Sequence, residues 1–452
     1  MLEEQFYESS TARWKRELPW LRLFRGFRIA MDFRKLLLAF AGTVIFSIGM
    51  LIFTTLPYSP HTTEEAKLGR APLRGIDVPL PYDDRAIAAW PWDSDFPGAP
   101  SGRIPYSLMY VLYEPWEYVV PVVYQARTLL SPWRVVVEPA RGVMFSMTWA
   151  DFAWAWTKLL WALVVWAVFG GAIARIAALE LAGEGVPSLK EAIEHSTRYL
   201  LSTLGGVLLP VVGVALFWGV ALGIGMLGLI PGIGPFLTGL FYFVSVICGA
   251  ILALILIGVA ACWPLMYATI AVEGSDAFDA LSRSYSYVFG RPWYGLWITI
   301  VSLVYGAILL LFLHGAMFFA HSLADHATAG GMGEVANRQL WDTVPYSEPD
   351  APPLETSVGG RLRAAWAKGF MALSTVFVYS YFWVAVTIAY FLLRHAEDAT
   401  PFKKVYWPAA EPVGSGPALS GMAAAEYRER QANEAAAVSG VAGGPPTGVA
   451  PG

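Results

Sequence analysis

The sequence predicts an all-α integral membrane bundle of about six transmembrane helices, with two cytoplasmic interfacial helices that belong to an internal repeat. Hydrophobic residues make up 56% of the chain and charged residues only 15%, whereas soluble domains carry about a quarter charged residues. The apolar residues are clustered in runs that are long enough to cross a bilayer. The 19 Trp and 21 Tyr suit the aromatic belts at the two membrane surfaces.

The N-terminal part of the chain is predicted to precede the membrane and then cross it once. Residues 1–35 are polar and basic, and their arginines alternate with apolar residues, as in an interfacial amphipathic helix. A solvated basic flank is the alternative, and both interpretations indicate the cytoplasm. Residues 36–56 are uncharged and predict the first transmembrane helix. Residues 57–151 are rich in Pro and Trp and predict an external loop region with room for one short surface helix.

Residues 152–395 are predicted to form a five-helix membrane core. The predicted spans are residues 152–181, 200–230, 236–270, 293–323 and 370–393. Gly219 and Gly223 form a small-xxx-small pattern, which predicts a close helix contact. Residues 326–368 are predicted to be an external loop, and residues 396–452 a cytoplasmic tail that is disordered after about residue 408.

A short segment occurs twice between the predicted spans, at residues 184–199 and 273–292. The matching residues are Ala192, Ile193, Ser196 and Tyr199 in the first copy and Ala280, Leu281, Ser284 and Tyr287 in the second. The Glu184-Gly185 pair aligns with Glu273-Gly274 if one residue is dropped.

Each copy has the pattern of a short amphipathic helix at the membrane surface. Ser188 and Glu191 predict a capping box, and Ser275 or Asp276 is predicted to cap the second helix. The apolar stripes predicted to face the bundle are Leu189, Ile193 and Ser196 in the first helix and Phe278, Leu281 and Tyr285 in the second. Six spans and basic flanks at both ends place both termini, and therefore both copies, in the cytoplasm. The predicted location is the inner (cytoplasmic) membrane.

The second copy and the span that follows it resemble a broad group of bacterial integral membrane proteins, related to the membrane domain of some glycerophosphodiester phosphodiesterases. The residues that carry this resemblance are Glu273-Gly274, Ala280, Ser284-Tyr285 and Gly290-Arg291-Pro292-Trp293. The resemblance covers roughly residues 150–406. It implies a bundle of about six helices with cytoplasmic linking helices, and it implies no catalytic residue, because the phosphodiesterase of such proteins is a separate soluble domain.

Motifs of catalysis and metal binding are scarce in the sequence. No phosphate-binding GxxxxGK[ST], HExxH, GxSxG or CxxC motif occurs. His314, His321 and Asp325, with His326 adjacent, have helical spacing for three zinc ligands. No second motif supports a metal site, so these residues are predicted to mark the wet outer end of a span, with no bound metal.

Five charged residues remain as candidate site residues. Arg175 and Glu180 lie nearest the apolar interior, and a charge within the membrane is a functional hypothesis. Snorkelling of their side chains to the surface is the alternative. Arg198, Arg283 and Arg291 lie on or beside the surface helices and are candidates for contact with anionic lipid headgroups.

These observations favour a non-enzymatic multi-pass membrane protein that serves as an envelope scaffold or lipid-interacting component. The alternative is a transporter or channel built on the helix–surface-helix–helix repeat. A lipid-modifying enzyme comes third, since no acid, base and nucleophile converge. The predicted partners are membrane lipids. No cofactor is predicted, and no nucleic acid, because the net charge is −4 and no basic stripe lies outside the membrane flanks.

Overall fold

The computed structural model describes residues 18–56, 90–92, 96–97, 99, 119–146, 148–332 and 358–406. By internal contacts, Met1–Val405 form one unit and Tyr406–Gly452 a second, of which only Tyr406 is described. The basic residues before Leu18, most of the region between residues 57 and 118, and the predicted disordered tail lie outside the described residues.

Helices make up all regular structure of the described residues. A 3-10 helix, Pro19–Arg25, leads into α1, Gly26–Ala30. The chain continues with α2 (Phe33–Phe53), α3 (Val119–Leu129), α4 (Ser131–Phe145), α5 (Trp149–Ala182), α6 (Leu189–Arg198), α7 (Leu200–Met226), α8 (Gly234–Glu273), α9 (Ala277–Gly290), α10 (Pro292–Gly331) and α11 (Val358–Asp398). The protein is an all-α bundle, which confirms the predicted fold class.

Six helices of the described part are long and apolar enough to cross a membrane: α2, α5, α7, α8, α10 and α11. Ionic contacts show which of their ends meet. Lys35 at the start of α2 pairs with Glu180 near the end of α5, and Arg394 near the end of α11 pairs with Glu273 at the end of α8. We call this the proximal end of the bundle, and the opposite one the distal end.

Several long helices exceed the thickness of a bilayer. The 40 residues of α8 and of α10 each extend about 60 Å, twice the hydrocarbon core of about 30 Å. The predicted loop 326–368 is wrong at both ends, because residues 326–331 and 358–368 are helical. The extra turns carry polar side chains, so a hydropathy pattern does not identify them as part of a span. The ion pair between Asp325 and Arg363, 3.0 Å apart, joins the two helices there.

The predicted loop region 57–151 also contains more helix than expected. Its last part forms α3 and α4, and α5 begins at Trp149. Proline inside α4, at Pro139, interrupts the helical signal in the sequence. Burial of Val135, Val136 and Pro139 against the bundle compensates for the lost backbone hydrogen bond, so tertiary packing rather than local propensity decides this helix.

The segment Pro19–Ala30 packs against α10 and α11 rather than lying only on the surface of the bundle. The Phe24 ring lies 4.8 Å from that of Tyr305 on α10, and the Tyr305 hydroxyl donates to the Phe24 carbonyl at 3.0 Å. The Ser380 hydroxyl of α11 donates to the Ala30 carbonyl at 2.7 Å. Ser380 lies about 21 Å before Arg394 along α11 at 1.5 Å per residue. The two hydroxyls donate to carbonyls where the short helices of this segment end. Backbone groups outside regular helix need such protein partners within a membrane, because no water is available there.

Large aromatic side chains fill the centre of the bundle between α5, α8 and α11. The Trp166 ring stacks on Tyr379 with centroids 4.6 Å apart, and the Tyr267 ring stacks on Trp383 at 5.2 Å. Trp263 meets Trp383 edge to face at 5.9 Å. All five side chains are buried. Gly170 makes this packing possible, because a Cβ there would clash with the Trp383 indole.

The hairpin of α7 and α8 differs from the rest of the bundle, because it carries no charged residue from Tyr199 to Val272. Its proximal part is buried against α5 and α11, whereas residues near its distal turn expose their apolar side chains, among them Leu229, Phe236 and Phe243. The predicted close packing at Gly219 and Gly223 is wrong, since a Cβ at either position would meet no heavy atom within 4 Å. Gly219 and Gly223 do form a face of small residues, but no other helix of the described residues packs against it.

The two short helices α6 and α9 begin as predicted. Ser188 and Glu191 form a capping box, and Asp276 accepts a hydrogen bond from the backbone amide of Asp279. The left-handed glycines that end α5 and α8 are Gly183 and Gly274. Gly183 therefore takes the place that the sequence alignment gave to Gly185.

The buried faces of α6 and α9 follow the positions shared by the two segments. The residues with buried side chains are Ala192 and Ser196 in α6 and Ala280, Ser284 and Tyr287 in α9. The predicted stripe is wrong at Phe278, whose side chain is 69% exposed. The small Ala and Ser side chains let each helix approach the bundle closely, and Phe278 is displaced to the edge of that contact.

We predict that Gly170→Ala destabilises the protein. The added methyl group would overlap the Trp383 ring in a filled core, and overpacking of this kind costs about 1–3 kcal/mol. Gly219→Ala is the matched control, because its surroundings are open. Thermal unfolding in detergent measures both variants. Equal midpoints would contradict the close approach of α5 and α11.

Candidate functional site: the polar network at the proximal end

A polar network centred on Glu273 joins three helices at the proximal end. Glu273 is the last residue of α8, and Gly274 stops the helix there with a left-handed conformation, φ 60°. Its Oε1 accepts hydrogen bonds from the Tyr390 hydroxyl at 2.5 Å and from Arg394 Nη1 at 3.1 Å. Its Oε2 accepts one from Arg283 of α9. One carboxylate therefore contacts both α9 and α11.

The guanidinium of Arg394 connects the network to the chain that follows α11. Its side chain is only 3% exposed. Nη2 donates to the carbonyl of Lys404 at 2.7 Å and to that of Pro401 at 3.3 Å. The ring of Phe391 lies 5.0 Å from the guanidinium carbon. These contacts hold the segment after α11 against the end of the bundle.

Further ion pairs surround the central carboxylate. Arg283 Nε donates to Asp279 at 2.7 Å, and its pKa is raised by this hydrogen bond and by the nearby charges of Glu273 and Asp279, against the effect of burial. The Tyr287 hydroxyl donates to Asp398. Burial, and then the Asp398 carboxylate, raise the pKa of this phenol. Cations and carboxylates in the network are thus nearly balanced.

The structure places the three predicted headgroup arginines in different surroundings. Arg283 contacts two carboxylates, as above, and Arg291 Nε donates to Glu397 at 2.8 Å. Arg198 is exposed at the end of α6. The two arginines of α9 and its C-cap therefore already have internal anionic partners, whereas Arg198 faces outward.

The two predicted intramembrane charges also have protein partners. The Glu180 carboxylate accepts from Lys35 Nζ at 2.7 Å, and Lys35, which is fully buried, also contacts Asp32 at 3.1 Å. Arg175 is buried, and its Nη1 donates to the carbonyl of Ala271 at 2.9 Å. These contacts join α2 to α5 and α5 to α8, so each charge has a structural role.

Sequence reasoning identified Glu273 only as part of the repeated Glu-Gly pair, and it did not identify Lys35, Tyr390 or Arg394. Lys35 is the last residue of the basic N-terminal segment, and Arg394 directly follows the last predicted span, so both belong to the basic flanks of the sequence. The available signal was position: each of the four lies within three turns of the end of an apolar run. Their partners lie more than 100 residues away in sequence, and no local pattern identifies such pairs.

His195 lies on α6 close to the buried Arg175. Burial, and then the positive charge of Arg175, lower its pKa to about 4, although the backbone of Ile270 partly opposes the shift. Its Nε2 is buried without a hydrogen-bond partner in the described residues. Neutral His195 is therefore the form that fits this site.

Of the candidate metal ligands at the distal end, the structure brings two together. His321 Nε2 lies 3.4 Å from Asp325, which also pairs with Arg363. These residues line an open cleft of about 360 Å³ between α10 and α11. In the part of the chain that the structure describes, no group of three or more His, Cys, Asp and Glu residues is arranged to hold a metal ion. The Asp325 carboxylate instead serves an ion pair between the two helices.

Comparison with protein-family models, curated proteins and solved structures finds no match to this chain. The resemblance to the phosphodiesterase-associated membrane domain therefore stays an expectation from the sequence. The geometry of the network indicates a structural role, because the partly buried carboxylate of Glu273 pairs with Arg283 of α9 and with the buried Arg394 of α11.

We predict that Glu273→Gln destabilises the protein by about 3 kcal/mol or more, because it leaves Arg394 buried without its counter-charge. Arg291→Gln breaks the more exposed pair with Glu397, and exposed pairs contribute only about 0–1 kcal/mol. Chemical denaturation in detergent compares the two variants. Equal losses would show that the Glu273 carboxylate is not the counter-charge on which the buried Arg394 depends.

A second prediction concerns acid sensitivity. Since the pKa of His195 falls from 6.5 to about 4 on folding, the unfolded chain binds more protons between these pH values, and stability decreases as the pH falls from 6.5 to 4. His195→Asn should flatten this part of the stability profile. His326→Asn, an exposed histidine of α10, is the control. An unchanged profile in His195→Asn would contradict the buried neutral histidine.

Proposed function

We infer that this chain is a non-enzymatic multi-pass membrane protein that acts as a scaffold or lipid-interacting component of the bacterial inner membrane. The observation that carries this proposal is the aromatic packing between α5, α8 and α11. Trp166, Tyr267, Tyr379 and Trp383 fill the region where these helices meet, with ring centroids 4.6–6.3 Å apart. Interdigitated rings favour a fixed arrangement of helices, because a well-packed core resists deformation.

The outer surface of the bundle supports contact with lipid. The hairpin of α7 and α8 has no charged residue between Tyr199 and Val272, and it exposes many apolar side chains. Hydrocarbon is the environment in which such a surface costs no free energy of hydration. Trp293 and Trp297, exposed near the start of α10, lie where an aromatic belt is expected.

The proposed orientation places the proximal end in the cytoplasm. Basic residues lie there at Lys403 and Lys404, which follow the end of α11, and at Arg22, whose guanidinium lies over the Phe402 ring, which agrees with the positive-inside rule. In this orientation α6 and α9 lie at the cytoplasmic face, between consecutive spans. Their charged faces point away from the buried Ala and Ser residues, which suits interfacial helices.

A transporter or channel is the second candidate, and a repeated arrangement favours it. The N-caps Ser188 and Asp276 are separated in sequence by the same number of residues as Ala192 and Ala280. The units α5–α6–α7 and α8–α9–α10 would then be copies related by an axis along the membrane normal. In a transporter, the region between the copies opens to water, and this property separates the two proposals.

The test asks whether water reaches the core. Ala167 is a small buried residue beside Trp166. Ala167→Cys is placed in a chain whose own cysteines are replaced, Cys248→Ser and Cys262→Ala. A membrane-impermeant methanethiosulfonate reagent is then applied to cells and to inverted vesicles. We expect no labelling from either side, and labelling at Ala167→Cys would favour the transporter.

Ser286→Cys is the matched control, because Ser286 is exposed on α9. It should react in inverted vesicles and stay unlabelled in intact cells if the proximal end is cytoplasmic. Labelling in intact cells would contradict the proposed orientation.

A further inference from the structure

The exposed arginines of the segment Pro19–Ala30 differ from those of the Glu273 network. Arg22, Arg25 and Arg28 recur every three residues, while Leu23 and Ile29 between them are buried. Arg25 and Arg28 are exposed, and no ion pair joins either one to a carboxylate of the described residues. One face of the segment thus packs on the bundle and another presents cations.

Two lysines extend this cationic surface from the other end of the chain. The Arg22 guanidinium lies 3.5 Å from the centroid of the Phe402 ring. Lys403 and Lys404 follow directly and are exposed. Arg394 holds this segment in place through the Lys404 carbonyl. We define the basic strip as Arg22, Arg25, Arg28, Lys403 and Lys404.

Exposed apolar side chains lie beside the basic strip. Phe24 is 45% exposed, and Phe33, at the start of α2, is 74% exposed. Trp20 meets Trp297 of α10 edge to face at 5.8 Å. A ligand that matches these neighbouring surfaces has an anionic head and apolar chains. A soluble anion would leave the aromatic surface uncovered.

The depth of the segment agrees with such a ligand. The Phe27 ring packs against Phe377 with centroids 5.9 Å apart, and Phe377 lies about 25 Å before Arg394 along α11 at 1.5 Å per residue. Arg28, next to Phe27, is exposed. An arginine side chain near hydrocarbon reaches toward the headgroup layer, where lipid phosphates supply counter-ions.

We propose that the basic strip binds the phosphate group of an anionic phospholipid, with the acyl chains lying against Phe24, Phe33 and the neighbouring helices. This site rests on the proposed function as a membrane protein, and it deepens that proposal by naming the lipid class. It differs from the sequence prediction, because Arg283 and Arg291 already have carboxylate partners. Cations close to an anionic leaflet each add to the attraction.

The experiment compares lipid affinities of the purified full chain in a neutral detergent. Dioctanoyl phosphatidylglycerol and dioctanoyl phosphatidylcholine are titrated, and native mass spectrometry counts the bound lipids. The double variant Arg25→Gln/Arg28→Gln should bind phosphatidylglycerol about tenfold more weakly than the unaltered chain. Phosphatidylcholine binding should not change. Similar thermal midpoints show that the variant is folded, as the exposure of both side chains leads us to expect.

Arg361→Gln/Lys368→Gln is the matched control, because it removes the same charge from exposed positions of α11. It should keep full affinity for phosphatidylglycerol. An equal loss in both double variants would indicate a general surface-charge effect and overturn the proposal.

Two further arms separate a lipid from a free phosphate. Inorganic phosphate and glycerophosphoglycerol, the headgroup without acyl chains, should compete only weakly with phosphatidylglycerol. Competition by either compound at the lipid's own concentration would assign the strip to a soluble phosphate and overturn the lipid site. The labelling of Ala167→Cys does not depend on this result, so failure of the lipid site and failure of the proposed scaffold are distinguishable.

Discussion

The carboxylate of Glu273 joins the end of α8 to both α9 and α11 at the proximal end. It ends α8, contacts α9 through Arg283, and contacts α11 through Tyr390 and Arg394. Buried ion pairs add little net stability, because desolvation offsets their attraction, but loss of one partner is costly. The network therefore acts mainly by excluding other arrangements of the helix ends. The segment after α11, held by Arg394, depends on it as well.

Satisfaction of backbone polar groups explains how an irregular N-terminal segment packs within the bundle. Carbonyls at the breaks between Phe24 and Ala30 accept hydrogen bonds from Tyr305 and Ser380. In a bilayer such groups find no water, so protein hydroxyls have to replace it. The same segment keeps its arginines on the outer side. A single stretch thus combines a buried anchor with a cationic surface, which is the physical basis of the proposed lipid site.

The central aromatic packing and the exposed hairpin divide the bundle into two kinds of surface. In α5 and α11, about four fifths of the most apolar window is buried, and Trp166, Tyr267 and Trp383 fill the space between these helices and α8. In α7 and α8, less than a fifth of that window is buried. A rigid centre with a charge-free periphery suits a protein whose main contacts are with lipid, and this contrast underlies the proposed scaffold.

Hydropathy and local patterns were enough to predict the fold class, the six long helices and the caps of α6 and α9. These features depend on residues within a few turns of each other, as at Ser188 and Glu191. The sequence did not reveal that α10 and α11 continue past the apolar core, that Phe278 faces outward, or that Lys35 meets Glu180. Each of these depends on which helices become neighbours. Partners such as Glu273 and Arg394, 121 residues apart, meet only in the tertiary structure, because burial and charge pairing are properties of the packed bundle and not of a local segment.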